Sequence, residues 1–280
     1  MKVCLVGYEG SKKIISASSY LVDKYLPKEF DVYFLNYGKY DGDIIRGSYV
    51  ELDTEQKGGS NSWSKYIIEY LSSLKDEFII FALDDYLLSK SLDVNKFNIL
   101  LNEIKTDPLI GLSKLGISPT YRPNDYDVYS EDLFLLRKTA DYAATTQYSI
   151  WNRKFLIEIL YQVSSPWEFE GSGSAYISNN TDRKVIGSLS IPLRYPENSC
   201  LSNNGNRGKI NVFGNRIEDI NNCIKLGYLN EEDLIMGQWD GPVGYPVKSY
   251  IECKHKPLIA LQSCPPGERE YYSLLFYSVI

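Results

Sequence analysis

Histidine is almost missing from this chain: its 280 residues include one, His255, set between Lys254 and Lys256. A lone imidazole excludes a multi-histidine metal centre and leaves little room for a Ser-His-Asp device. His255 reads as a surface residue, and acid-base chemistry falls mainly to carboxylates. Paired cysteine motifs are also missing. Cys4, Cys200, Cys223, Cys253 and Cys264 are widely spaced, odd in number and never Cys-x-x-Cys, which excludes a disulfide frame and a cysteine zinc site and leaves reduced structural thiols. No Gly-x-Gly-x-x-Gly fingerprint and no Gly-Lys-Ser or Gly-Lys-Thr phosphate loop occurs. Basic charge is in deficit, with 30 Lys and Arg against 36 Asp and Glu for a net charge of −6. Without a concentrated basic face, nucleic acid and anionic membrane are poor partners. No apolar run reaches the length of a membrane span, and the stretch from Met1 to Gly7 is too short for a secretory signal. The expectation is a soluble, cytoplasmic protein. The Asn179-Asn180-Thr181 sequon carries little weight without a signal.

What the chain does carry is a strand that ends in acid. Phe78-Ile79-Ile80-Phe81-Ala82-Leu83 is a continuous apolar run, covered on both faces, and it leads directly into Asp84-Asp85-Tyr86. Open α/β sheets place ligands at this end of their strands. Two adjacent anions repel unless a cation lies between them, and Mg²⁺ or Mn²⁺ bridging to a diphosphate satisfies both hard carboxylates. The plain alternative is a solvated turn or helix cap, where Asp is equally at home.

Around that strand the pattern is α/β. Val3 to Val6 reads as a strand closed by Gly7-Tyr8-Glu9-Gly10-Ser11, followed by a helix over 12–25 and a strand over 31–35. Trp63, Ile67, Tyr70, Leu71 and Leu74 recur at helical spacing after Ser62. A helix over 94–104 and a short strand over 109–112 follow, and the polar stretch 118–132 reads as a long loop. A second informative region begins at Gln147-Tyr148-Ser149-Ile150-Trp151-Asn152 and continues into an apolar helix over 155–160. Next comes Ser165-Pro166-Trp167-Glu168-Phe169-Glu170, then Gly171-Ser172-Gly173-Ser174, read as a flexible stretch. Its plain reading is a helix start whose acids complement the dipole. The functional reading is a sugar site, with Trp167 stacking on a CH face and the carboxylates of Glu168 and Glu170 accepting from hydroxyls. Farther on, 185–189 suggests a strand and 217–226 a short helix, while the loop 203–209 offers Arg207 and Lys209 to a diphosphate or simply to solvent. The segment 271–277 is apolar and is expected to pack on the body. There is no internal repeat and no interdomain linker.

Taken in order, Trp63-Ser64, Phe81 to Tyr86, Gln147 to Trp151 and Ser165 to Glu170 resemble nucleotide-sugar glycosyltransferases of the GT-A type. The resemblance is especially to the group linked to bacterial lipopolysaccharide or capsule-like glycans and also found in large DNA viruses. The resemblance runs to about residue 175, and beyond it only Arg207-Gly208-Lys209 contributes. It implies a single domain over 1–280: a nucleotide-sugar-binding half over about 1–115, and an acceptor half with C-terminal elements over about 116–280. The sheet would be Rossmann-like, mixed but mainly parallel, and flanked by helices. Asp84-Asp85 would stand for the family's Asp-x-Asp element, written here without its spacer, with Asp85 ligating Mn²⁺ or Mg²⁺ and Asp84 orienting ribose or donor sugar. Tyr8 and Trp63 would lie at the nucleotide, and Arg207 and Lys209 at the phosphates. Gln147, Trp151 and Trp167 would face a glycan or glycolipid acceptor. Glu170 would act as the base of an inverting transfer with Glu168 beside it, or the two in exchanged roles. Retention stays open, as do a non-catalytic binding protein of the same fold and a metal-dependent phosphohydrolase or nucleotidyltransferase.

Overall fold

The computed structural model describes residues 1–54, 63–116, 123–195, 209–212, 215–236 and 245–246. Its strands are β1 (Lys2–Val6), β2 (Asp31–Asn36), β3 (Ser48–Glu51), β4 (Phe78–Leu83), β5 (Ile110–Lys114), β6 (Tyr126–Val128), β7 (Leu133–Leu136), β8 (Ser149–Asn152) and β9 (Lys184–Ser188). These form one sheet in the order β3-β2-β1-β4-β8-β5-β9-β7-β6. The helices are α1 (Ile15–Tyr25), α2 (Trp63–Ser73), α3 (Val94–Thr106), α4 (Arg153–Leu160), α5 (Pro166–Asn180) and α6 (Ile217–Lys225). A small second sheet joins β10 (Ile210–Asn211), β11 (Leu234–Met236) and β12 (Tyr245–Pro246).

The pairings make the large sheet mixed. β1 is parallel to β2 and β4, β2 to β3, and β5 to β9, whereas β8 is antiparallel to both of its neighbours and β7 to both of its own. Every strand of this sheet therefore runs one way except β7 and β8. This is the α/β architecture that the sequence pattern called for.

Strand residues alternate between two cores, which is why the strands read as continuous apolar runs. Val3, Leu5, Ile80, Ala82 and Ile150 face one core with α1, α3 and α6. Cys4, Val6, Ile79, Phe81 and Trp151 face the other with α2, α4 and α5. Burying a side chain of this size contributes roughly 1.5–3 kcal/mol, so the two layers make the sheet the rigid part of the molecule. Local polar contacts close the helix ends. The Arg46 guanidinium donates to the carbonyls of Val22, Leu26, Pro27 and Phe30, closing the last turn of α1 and its exit. Buried Asp219 accepts from Lys24 at 2.5 Å and from the Tyr25 hydroxyl, tying α6 to α1.

Three local expectations change. The stretch Gly171-Ser172-Gly173-Ser174 lies inside α5, and a Cβ on Gly173 would stand 3.0 Å from Ile159 and 3.2 Å from Ala144. Its small residues serve close helix packing. The described part of 118–132 includes β6, which pairs with β7 as an edge strand. The short 109–112 strand extends to Lys114. His255, Arg207, the thiols Cys200, Cys253 and Cys264, and the 271–277 segment lie outside the described residues.

Candidate active site

Strand order brings the acidic pair to a crevice. β1 leads to β2 on one side, while β4 lies on the other, so the C-terminal ends of β1 and β4 flank the point where the sheet changes direction of growth. The Asp84 amide donates to the Val6 carbonyl at 3.0 Å, which fixes the pair beside the β1 turn. Neither acid is solvated: Asp84 is 2% and Asp85 5% exposed. The solvated-turn reading of the pair therefore falls.

Asp84 is held in a polar hub. Its Oδ2 accepts from the Ser11 hydroxyl at 2.7 Å and from Asn36 Nδ2 at 3.4 Å, while Ser11 Oγ accepts from the Tyr8 amide at 3.1 Å and Asn36 at 3.0 Å. Gly7 makes this approach possible. A Cβ there would stand 2.0 Å from Asp84 Oδ2, 2.3 Å from Ser11 Oγ and 2.5 Å from Asn36 Nδ2. Burial, and then the charge of Asp85, push the Asp84 carboxyl well above the usual carboxylate range; Ser11 and Asn36 pull the other way. A second negative charge is thus resisted until a cation joins the pair. Tyr8 is half-exposed at the rim, and its phenol is raised by burial first and then by Asp85 and Asp84.

Glu170 reaches the same edge from α5. Its Oε1 accepts from the Thr146 hydroxyl at 2.7 Å and the Thr146 amide at 3.2 Å, and the Thr146 carbonyl accepts from the Leu83 amide at 2.9 Å. One residue therefore links the glutamate to the base of the acidic pair. Between them stands buried Tyr86, whose phenol is raised by desolvation, then by the charges of Asp85 and Glu170. Ser165 caps α5 by accepting from the Glu168 amide at 3.2 Å, and Pro166 opens the helix.

The remaining expected site residues divide. Trp167 is 63% exposed and three positions before Glu170, so the two lie one turn apart on the same side of α5. Gln147 follows Thr146, and its Oε1 accepts from the Tyr195 hydroxyl at 3.3 Å. Glu168 is engaged elsewhere: its Oε2 accepts from the Ser164 amide and hydroxyl, each at 2.7 Å, and that hydroxyl bond holds the acid below its ordinary range. It performs the capping role of the plain reading. Trp63, at 1% exposure, packs edge-on to Phe81 and Phe169, and fully buried Trp151 packs on Phe155 and Phe169. Both rings fill the core beneath α5, because each follows the strand or helix face that α5 covers. Both rings are closed off from solvent. Lys209 Nζ donates to the Glu232 carbonyl at 2.5 Å, joining the ends of the small sheet.

Sequence reasoning missed Ser11, Asn36, Thr146 and Lys114. Asn36 and Lys114 end strands, Ser11 lies in the turn after β1 and Thr146 in the segment before β8, and sheet order alone makes them neighbours. Lys114 had one legible signal, a lysine closing an apolar strand.

Two hard carboxylates at a buried strand end suit one divalent cation that takes its remaining ligands from phosphate and water. Among the described residues no group of three or more His, Cys, Asp or Glu side chains gathers to hold a metal by itself. The donor set fits a cation shared with substrate.

The sheet with its flanking helices defines a mixed α/β fold. No protein-family model and no curated protein sequence matches the chain. Among solved structures it is similar to the mannosyltransferase PcManGT of Pyrobaculum calidifontis, in complex with GDP-Man and Mn²⁺, at 12% identity and TM-score 0.47 over 73% of this chain and 58% of that one. It is also similar to S. aureus TarS 1-349 in complex with UDP, at 15% identity and TM-score 0.43 over 69% and 59%. A cytidylyltransferase from Leptospira borgpetersenii matches at 12% identity and TM-score 0.40 over 91% of this chain and 94% of that one. The chain thus spans less than two thirds of both transferase chains. No helix among the described residues is long and apolar enough to cross a membrane.

Proposed function

We propose that this chain is a GT-A type glycosyltransferase that moves a sugar from a nucleoside-diphosphate donor to a hydroxyl of a glycan or glycolipid. The observation that carries the reading is the shared edge: the buried Asp84-Asp85 pair and Glu170 meet through Thr146. In this reading Asp85 and Asp84 hold Mn²⁺ or Mg²⁺, with Asp84 also orienting the donor through its Ser11 and Asn36 contacts. The cation, when bound, would neutralise the diphosphate and favour its departure. Tyr8 at the rim packs against the nucleotide, and residues 1–115 serve as the donor half. Trp167 stacks on the acceptor sugar, with Gln147 beside it. Glu170, held by Thr146, takes the proton of the attacking hydroxyl, and the anomeric configuration inverts. Arg207 is assigned to the leaving diphosphate from sequence alone.

The test is a panel of nucleotide sugars with Mn²⁺, read first as thermal shifts and then as released nucleoside diphosphate. A donor at a hundred times its Kd should stabilise the fold by about 2.7 kcal/mol, a shift that EDTA removes. Glu170→Gln should keep that shift and lose transfer. Full turnover by this variant removes the base assignment. Release of pyrophosphate from a nucleoside triphosphate, with no sugar transfer, identifies a nucleotidyltransferase and overturns the proposal.

A further inference from the structure

Lys114 is an anomaly that the reading above leaves unused. It closes β5, is 3% exposed, and Nζ donates to the Tyr142 carbonyl at 2.8 Å. Lysine is almost never buried so deeply unless its charge has a task. Placement gives the task a direction. Ser149, the first residue of β8, is paired with Phe81 on β4 and with Lys114 on β5, so Lys114 ends beside the segment that leads into β8. Lys114 also follows Leu112 by two residues, which points it toward the core that α5 covers.

That segment is fastened at alternate residues. The Tyr142 carbonyl takes Lys114, the Ala144 amide donates to Ser174 Oγ at 3.0 Å, and Thr146 holds Glu170. Tyr142 itself sits at φ 55°, a conformation that costs a non-glycine residue energy and needs an outside hold.

We propose that Lys114 is the positioning residue for Glu170: its Nζ pins the 142–146 segment that carries Thr146, and Thr146 in turn holds the glutamate. This inference rests on the transferase reading only for its catalytic meaning, since the pinning itself is a property of the protein alone. Burial drags the Lys114 ammonium down to about 7, and the Glu170 carboxylate opposes that fall. Other titratable groups at this end of the sheet among the described residues include Tyr8 after β1, Asp84, Asp85 and Tyr86 after β4, Tyr142 and Tyr148 on the approach to β8, and Tyr195 beyond β9.

The experiment follows amide hydrogen exchange across residues 142–146 in the full chain without ligand. In Lys114→Met the Ala144 and Thr146 amides, which donate to Ser174 Oγ and Glu170 Oε1, should exchange about tenfold faster than in wild type, while amides of β1 and β4 keep their wild-type protection. Lys114→Arg, which keeps a donor at this place, should restore part of the protection. Wild-type exchange at Ala144 and Thr146 in Lys114→Met overturns the inference, and Lys114→Gln replaces the methionine if that variant does not fold. Turnover of nucleotide sugars separates the two claims. Loss of transfer in Glu170→Gln with unchanged exchange in Lys114→Met defeats this inference alone, whereas full transfer in Glu170→Gln with faster exchange in Lys114→Met defeats the base assignment alone.

Discussion

Gly7 is the position where one added methyl group interrogates the whole polar hub around Asp84. In Gly7→Ala the new Cβ falls 2.0 Å from Asp84 Oδ2, 2.3 Å from Ser11 Oγ and 2.5 Å from Asn36 Nδ2, all inside contact distance. None of the three can swing away freely, because each is buried and hydrogen-bonded to another. Overpacking of this kind costs about 1–3 kcal/mol, and losing the buried bond from Ser11 to the carboxylate adds about 1–3 kcal/mol. For a domain of this size each kcal/mol lowers Tm by about 2–4 °C, so a loss near 3 kcal/mol lowers it by roughly 6–12 °C. Gly171→Ala supplies the internal contrast. A Cβ there meets nothing within 4 Å in the middle of α5, and relieving a helical glycine should stabilise by about 0.5–1 kcal/mol. Urea unfolding of the two variants beside wild type decides the matter. If Gly7→Ala unfolds with the wild-type midpoint, the packed hub around Asp84 is wrong, and so is every role assigned to it.

Trp167→Ala should leave the unfolding midpoint within about 0.5 kcal/mol of wild type, because its ring is exposed, yet weaken use of the acceptor; a large stability loss would show the ring to be structural. Lys114 sets a pH slope. Its folded value of about 7 lies below its ordinary value of 10.5, so the unfolded chain binds more protons between them and stability rises with pH through that window. Wild type should therefore gain on Lys114→Met by about 1.4 kcal/mol per pH unit above neutrality, measured by urea unfolding at pH 7.5 to 9, and parallel curves would refute the lowered value of the buried amine. Cys4 and Cys223 are fully buried with thiols pushed up to about 12, so iodoacetamide should leave both unmodified in the native protein and label both in urea, as read by peptide mass.

How much of this was legible before the structure depended on whether a signal was local. β1, β2 and β4 announced themselves through apolar runs, since residues facing two cores leave no polar face. The same two-sided burial hid β8, because Ser149-Ile150-Trp151-Asn152 is short and shows no alternation. The start of α5 was legible at Pro166, but its continuation hid behind glycines and serines: local propensity opposed a helix there, while packing of Gly173 against Ile159 and Ala144 required one. Both Trp63 and Trp151 carried aromatic signals that suit ligand and core alike, and burial decided for the core. The acidic pair and Glu170 were readable from composition at element ends. Their partners were not, because Ser11, Asn36, Thr146 and Lys114 acquire meaning only through strand order.

The reversed direction of β8 has an evolutionary corollary. Because that strand begins where its neighbours finish, the peptide entering it contributes backbone as well as side chains to the edge that holds the acidic pair. If the chain is the transferase proposed above, substitutions at Gln147 would retune which hydroxyl is accepted while the opposite bank, built from β1 and β2, keeps its grip on the activated sugar. A lineage could thus diversify its products by editing a few residues on one bank of a single cleft.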